Sequence, residues 1–336
     1  MKIAFFKLGE SEREYVQKST IMQGHELVFV ESVLSKDTLP EDKSFEVLSV
    51  FVDSVVDEQV IEQFPNLKLI AARSTGYDHI DLAAAIKRNV VVVNVPTYGE
   101  NTVAEFTFAL LLALSRKIFD SVHRIKEDGD FHLEGLRGFD LKGRTIGVVG
   151  TGRIGAHVIK IAKGFGMTVV AHDPFPNVKL AQEFGFDYKS LDELLSISDV
   201  VTLHVPYTES TKHLLNKGNI KLMKKGSYLI NTARGGLVET ESLVDALKDG
   251  TLGGAGLDVL EEEGIIKDEL HFLTKGGLDG HDLKTVLQNH VLIDMPNVLI
   301  TPHNAFNTTE ALIRIQETTL GKIDSFSKGT PVNIAK

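Results

Sequence analysis

Thr145-Ile146-Gly147-Val148-Val149-Gly150-Thr151-Gly152-Arg153-Ile154-Gly155 reads as a buried strand that turns sharply into a helix continuing over Ala156–Phe165. In a dinucleotide-binding turn each glycine has a separate task. Gly150 permits the bend, Gly152 lets the backbone approach a diphosphate, and Gly155 lets helix and strand pack closely. The helix start, with Arg153 and Ile154, offers N–H groups and the positive end of its dipole to that diphosphate. The next strand, Thr168–Ala171, runs into His172-Asp173-Pro174. Asp173 lies where a carboxylate would accept from the adenosine ribose hydroxyls, and a negative charge there disfavours a 2′-phosphate. The expected cofactor is NAD.

Working outward, strand and helix alternate. Toward the N-terminus, strands are expected at Lys2–Phe6, Leu27–Val30, Val47–Val52, Leu67–Ala72 and Val90–Val95. Toward the C-terminus they are expected at Val200–His204, Tyr228–Asn231, Gly254–Asp258 and Val298–Thr301. Near-continuous Val/Ile runs of this kind belong to parallel sheets covered on both faces. A single long helix is expected over Thr102–Lys126, with a turn at Phe139–Gly143 opening the second series. The fold class is therefore α/β, with two doubly wound parallel-sheet domains. Gly264–Asp294 interrupts the rhythm, with a short helix expected from Asp282 to Gln288; a final helix should reach Phe326.

Bulk properties narrow the function. At 336 residues and 43% hydrophobic, the chain can bury two cores. A net charge of −10 argues against a nucleic-acid or anionic-membrane surface. No cysteine is present, which removes thiolate catalysis and disulfides and fits a cytoplasmic protein. The longest apolar run, Phe106–Leu114, is well short of the roughly 20 residues of a membrane span. No cluster has zinc-ligand spacing, so no metal is expected.

Three later strand ends carry polar groups where such sheets present them to ligands: Arg234, the Glu261–Glu263 run and His303. An Arg can clamp a carboxylate and polarise a carbonyl; a His can exchange the proton that accompanies hydride transfer; a Glu can orient the imidazole. Taken singly, Arg234 reads as an ion-pair partner in an acidic chain, His303 as a strand-end histidine and Glu263 as a solvated loop residue. As a set following a dinucleotide turn they read as a redox centre. His79, His157, His213 and His271 lack such context and read as structural or solvated.

Ser74-Thr75-Gly76-Tyr77-Asp78-His79-Ile80-Asp81, Val93–Pro96, Val103–Glu105, His204–Pro206, Asn231–Gly235, Gly256–Val259 and Pro302-His303 occur in order with the glycine turn. Over nearly its full length the chain thereby resembles the D-isomer-specific 2-hydroxyacid dehydrogenases. The resemblance implies His303 as acid/base, Arg234 as carbonyl-polarising and carboxylate-binding group, and Glu263 as the partner of His303. It implies carboxylate-binding amides at Thr75 and Gly76, Asp258 facing the nicotinamide amide, and a cofactor groove lined by His204, Val205, Pro206, Thr211, Thr232 and Ala233, with Arg234 and His303 at its reactive end. It also implies a discontinuous, flavodoxin-like substrate domain (1–100 plus 302–336), an NAD-binding Rossmann domain (101–301) and a homodimer formed through the long helix.

Tyr98, Phe51 and Phe306 match aromatic positions of the D-lactate dehydrogenase-like branch, as does the insertion after Glu263. Asn304, and Gly99-Glu100-Asn101 after Tyr98, depart from that branch. The expected reaction is NADH-dependent reduction of a small 2-oxo acid, with pyruvate to D-lactate foremost. Other readings are glycerate/hydroxypyruvate, phosphoglycerate or phosphite dehydrogenation, and an NAD-sensing protein without turnover.

Overall fold

The computed structural model describes residues 1–267 and 282–330. The chain forms two compact units, Met1–Tyr98 with the segment from Asn307 onward, and Gly99–Phe306. The first holds β1 (Lys2–Phe6), β2 (Glu26–Val30), β3 (Val47–Val50), β4 (Leu69–Ala72) and β5 (Val91–Val93), all parallel, in the order β2-β1-β3-β4-β5. The second holds β6 (Thr145–Val149), β7 (Thr168–His172), β8 (Asp187–Tyr188), β9 (Val200–Leu203), β10 (Ser227–Asn231), β11 (Leu252–Leu257) and β12 (Val298–Ile300). Its order is β12-β11-β10-β9-β6-β7-β8, again parallel throughout. These are the flavodoxin-like and Rossmann orders, with switch points between β1 and β3 and between β6 and β9.

The runs form central strands because both faces are covered. In β1, Ile3 and Phe5 enter one apolar cluster while Ala4 and Phe6 enter the other. The helix Arg153–Gly164 lays Gly155, Val158, Ile159 and Ala162 against the second sheet, the i, i+3, i+4, i+7 stripe that a core-facing helix needs.

Four expectations change. The helix expected over Thr102–Lys126 is broken into Glu100–Ser115, Ile118–His123 and a wider turn at Arg124–Asp128. Lys117 adopts a left-handed φ of 53°, and the Ser115 carbonyl accepts the N–H of Phe139 instead of continuing the helix. The Gly138 backbone lies so close to Ser115 that a Cβ would sit 2.0 Å from its carbonyl oxygen. β8, only two residues long, was not anticipated. The helix opening at Asp282, whose side chain caps it, runs on to Asp294 rather than Gln288; residues 268–281 of the interrupting segment lie outside the described residues. Lastly, His303 falls in the second unit, because the turn carrying it is bonded to Asp258.

Candidate active site

The glycine turn sits at the carboxyl end of β6, beside the switch point with β9. Gly150 has φ 93°, and a Cβ on it would lie 2.7 Å from the carbonyl oxygen of His204 and 2.9 Å from Val205 Cγ1. At Gly155 a Cβ would lie 2.0 Å from the Gly150 oxygen. Gly152 differs: among the described residues no atom would touch its Cβ within 4 Å, and its φ of −63° suits any residue. Among the described residues nothing requires a glycine there, and no side chain caps the helix beginning at Arg153. Those are the features a diphosphate requires.

Asp173, just past β7, accepts at Oδ2 from Thr151 N (2.7 Å) and Thr151 Oγ1 (2.9 Å), and at Oδ1 from Phe175 N (2.8 Å). Burial pushes its carboxyl up, but these donors outweigh burial and hold it below the ordinary aspartate range. It is thus an ionised acceptor built into the glycine turn, with lone pairs remaining for ribose hydroxyls. Across the switch point, His204 Nε2 lies 2.8 Å from Thr202 Oγ1, and burial lowers its pKa to about 3, so the ring is neutral. The Thr211 hydroxyl donates to Pro206 O (2.7 Å) and accepts from Thr208 N (2.8 Å), fixing the loop that follows Val205 and Pro206. Thr232 meets Thr107 at 3.1 Å through their buried hydroxyls, and Ala233 N donates to Asn231 Oδ1. These groups fit a bound dinucleotide.

At the ends of β10, β11 and β12 the polar set converges. Arg234 leaves β10 in extended conformation, its Nη1 donating to Ala233 O (2.8 Å). The next residue must be glycine, since a Cβ on Gly235 would lie 2.0 Å from the Leu260 carbonyl carbon. That contact presses the arginine turn against the acidic loop. Asp258 follows β11, is 0% exposed, and gives both oxygens to the turn after β12: Oδ1 accepts from Thr301 Oγ1 (2.5 Å) and Asn304 N (2.8 Å), Oδ2 from Ala305 N (2.8 Å). Burial pushes its carboxyl up against the pull of those donors. Expected to face the nicotinamide amide, Asp258 is seen to organise the turn that carries His303.

His303 takes a left-handed φ of 52°, and its N–H is shared between Asp258 O and Thr301 O, each at 2.9 Å. Its Nδ1 lies 2.8 Å from Glu263 Oε1. A carboxylate only accepts, so Nδ1 carries hydrogen and Nε2 is the position left to exchange a proton. The three consecutive glutamates separate by partner. Glu261 binds His213 Nε2 at 2.6 Å and accepts from both N (2.9 Å) and Oγ1 (2.5 Å) of Thr240. Glu262 is in left-handed conformation (φ 54°), and Glu263 reaches the histidine. His213, whose sequence context promised nothing, thus anchors the acidic loop.

Phe51, Thr75, Gly76 and Tyr98 belong to the first unit, and Arg234 and Phe306 to the second. The loop after β4 is held by its carbonyls: Ser74 Oγ donates to Gly76 O (2.6 Å) and Asn94 Nδ2 to Thr75 O (2.8 Å), while Thr75 Oγ1 donates to Val95 O (2.9 Å). Among the described residues no acceptor takes the N–H of Thr75 or Gly76. The C-terminal helix, Thr309–Ser327, fixes the strand exit that carries Tyr98, through Arg314 Nε to Tyr98 O (2.7 Å) and Lys322 Nζ to Asn94 O (2.6 Å). Sequence reasoning overlooked Arg73, a charge at the end of an apolar strand run and nearly fully buried. Among the described residues no group of acidic residues and histidines is arranged to hold a metal ion, and no helix is long and apolar enough to cross a membrane.

Residues 108–305 match the profile of the D-isomer specific 2-hydroxyacid dehydrogenase, NAD binding domain. The chain belongs to that family and is an NAD-dependent oxidoreductase. Within it, the chain is 42% identical to 2-hydroxyacid dehydrogenase homolog 1 of Schizosaccharomyces pombe, over 97% of this chain and 96% of the relative. It is 37% identical to the D-lactate dehydrogenase of Escherichia coli, over 98% of both chains. The solved structure of D-lactate dehydrogenase from Aquifex aeolicus, complexed with NAD and lactic acid, superposes with a TM-score of 0.86 at 38% identity, over 97% of this chain and 96% of that one.

Proposed function

We propose that this enzyme reduces a small 2-oxo acid, pyruvate foremost, to the D-2-hydroxy acid with NADH, reversibly. The observation that carries the reading is the His303 Nδ1–Glu263 pair at 2.8 Å, on strand ends shared with Arg234 and the dinucleotide turn. When bound, the reduced nicotinamide supplies a hydride to the substrate's C2. Arg234 binds the substrate carboxylate and polarises the 2-oxo group, drawing charge onto its oxygen. His303 Nε2 delivers the proton to that oxygen, and the Glu263 carboxylate orients the ring and stabilises its protonated form. In the reverse direction His303 takes the hydroxyl proton. The N–H groups of Thr75 and Gly76 receive the carboxylate, making the first unit the substrate domain. Phe51, Tyr98 and Phe306 border a small apolar side chain, and the likeness to D-lactate dehydrogenases supports pyruvate. A chain without cysteine suits the cytoplasm, to which we assign it.

The test is a panel of 2-oxo acids of increasing side-chain size, assayed with NADH and NADPH and followed by chiral analysis of the product. The expected outcome is fastest turnover with pyruvate, a preference for NADH of tenfold or more, and a D product. Failure of every 2-oxo acid to oxidise NADH would refute the reading; a larger preferred acid would refute the pyruvate assignment.

A further inference from the structure

β1 and β3 are neighbours at the switch point of the first sheet, and the crevice beyond the carboxyl ends of such a pair is where open α/β sheets take ligands. One side chain spans it. Arg73 follows β4, is only 2% exposed, and reaches across β3 to β1. Its Nη1 donates to Ser49 O (2.8 Å) and Ser49 Oγ (3.2 Å), and its Nη2 to Phe6 O (2.7 Å). All three acceptors are neutral. Among the described residues no carboxylate lies within the 4.0 Å of an ion pair with Arg73. Glu12 pulls on it from farther away, its oxygens accepting from Gly9 N (2.9 Å) and Gln316 Nε2 (2.6 Å) rather than from the guanidinium. Burial of the cation lowers its pKa only to about 10, so it stays charged at neutral pH.

A buried cation without an anion is costly, and an apolar residue would fill the space at lower cost. The chain immediately after Arg73 is Ser74-Thr75-Gly76, the loop whose two free N–H groups suit a carboxylate. We propose that Arg73 is a positioning residue for the substrate carboxylate: its unneutralised charge ties the ends of β1, β3 and β4 together and biases the Ser74–Gly76 loop toward an anion. This rests on the proposed 2-oxo acid substrate. Arg73 does not touch the substrate. It acts through the loop beside it, and through a positive potential that Glu12 offsets only from beyond ion-pair distance.

The test compares wild type with Arg73→Gln, Arg73→Lys and Ser49→Asp, measuring kcat and KM for the best 2-oxo acid, Ki for oxamate, and Kd for NADH by fluorescence. Arg73→Gln should raise KM and the oxamate Ki together by tenfold or more, with kcat within threefold and NADH Kd unchanged, because the cofactor is held by the other unit. Arg73→Lys, which keeps the charge, should restore most of the loss. Ser49→Asp keeps the arginine but places a carboxylate against Nη1, and should raise KM and Ki as Arg73→Gln does; it carries the test if Arg73→Gln does not fold. The role is overturned if KM and Ki stay at wild-type values in either variant, or if Arg73→Lys loses kcat, KM and NADH affinity as badly as Arg73→Gln, the pattern of a purely structural residue. Absence of wild-type turnover with any 2-oxo acid would instead strike the proposed function.

Discussion

Gly152 and Gly155 stand three residues apart in one motif, yet the structure asks different things of them. A methyl on Gly155 would meet the Gly150 carbonyl oxygen at 2.0 Å, whereas one on Gly152 would meet nothing within 4 Å among the described residues. Gly155→Ala should therefore lower thermal stability by several degrees as well as weaken NADH binding. Gly152→Ala should leave the melting temperature within about one degree and weaken NADH tenfold or more, since its side chain intrudes only on the ligand. Calorimetry paired with NADH titration checks both; equal behaviour of the two variants would contradict the division of labour. At this scale the motif was legible because each glycine's reason is local. The choice among Glu261, Glu262 and Glu263 was not legible from spacing alone. It depends on His213, 48 positions from Glu261, which binds Glu261 and leaves Glu263 for His303. Arg73 was overlooked for a similar reason: its partners Ser49 and Phe6 are neighbours only once the sheet is assembled.

Among the elements, β6 carries the glycine turn, and its first residue is held by Asp199. Asp199 Oδ2 accepts from Thr145 N (2.8 Å), while Oδ1 pairs with Lys224 Nζ (2.5 Å) and lies 3.9 Å from Arg144 Nη1. Burial opposes the charge, but Lys224, Thr145 N and Arg144 outweigh it and lower the folded-state pKa below 3.8. A depressed carboxylate pKa adds stability that is present above 3.8 and is lost as pH falls through the folded value. Asp199→Asn should thus cost about 1 kcal/mol in urea unfolding at pH 7. The gap from wild type should shrink at pH 3; an equal gap at both values would contradict the linkage. Strands were legible to within two or three residues because runs such as Val47–Val50 are buried on both faces and admit few other states. The break after Ser115 was not, because the cause is the Phe139 N–H arriving from 24 residues away to claim a carbonyl. β8 eluded the sequence reading because two residues carry no periodicity.

For the whole molecule, the two doubly wound sheets were written in the alternation of apolar runs, whereas the homodimer was expected from the family resemblance alone. Ile118, Phe119, Val122 and Ile125 are exposed in the second unit, with Phe131 at 79% and Leu133 at 83%. So much exposed apolar side chain on one stretch marks an interface, and we infer that a second copy covers it. Light scattering at micromolar concentration should report a dimer, and Phe119→Glu with Leu133→Glu should shift it to monomer; a wild-type monomer would remove the inference. In the proposed reaction Arg234, Glu263 and His303 move a proton in step with hydride transfer. The most direct measurement is steady-state kinetics of His303→Ala alongside NADH titration. His303→Ala should lower kcat by roughly a hundredfold or more with NADH affinity within twofold of wild type, and an unchanged kcat would rule out the acid/base role.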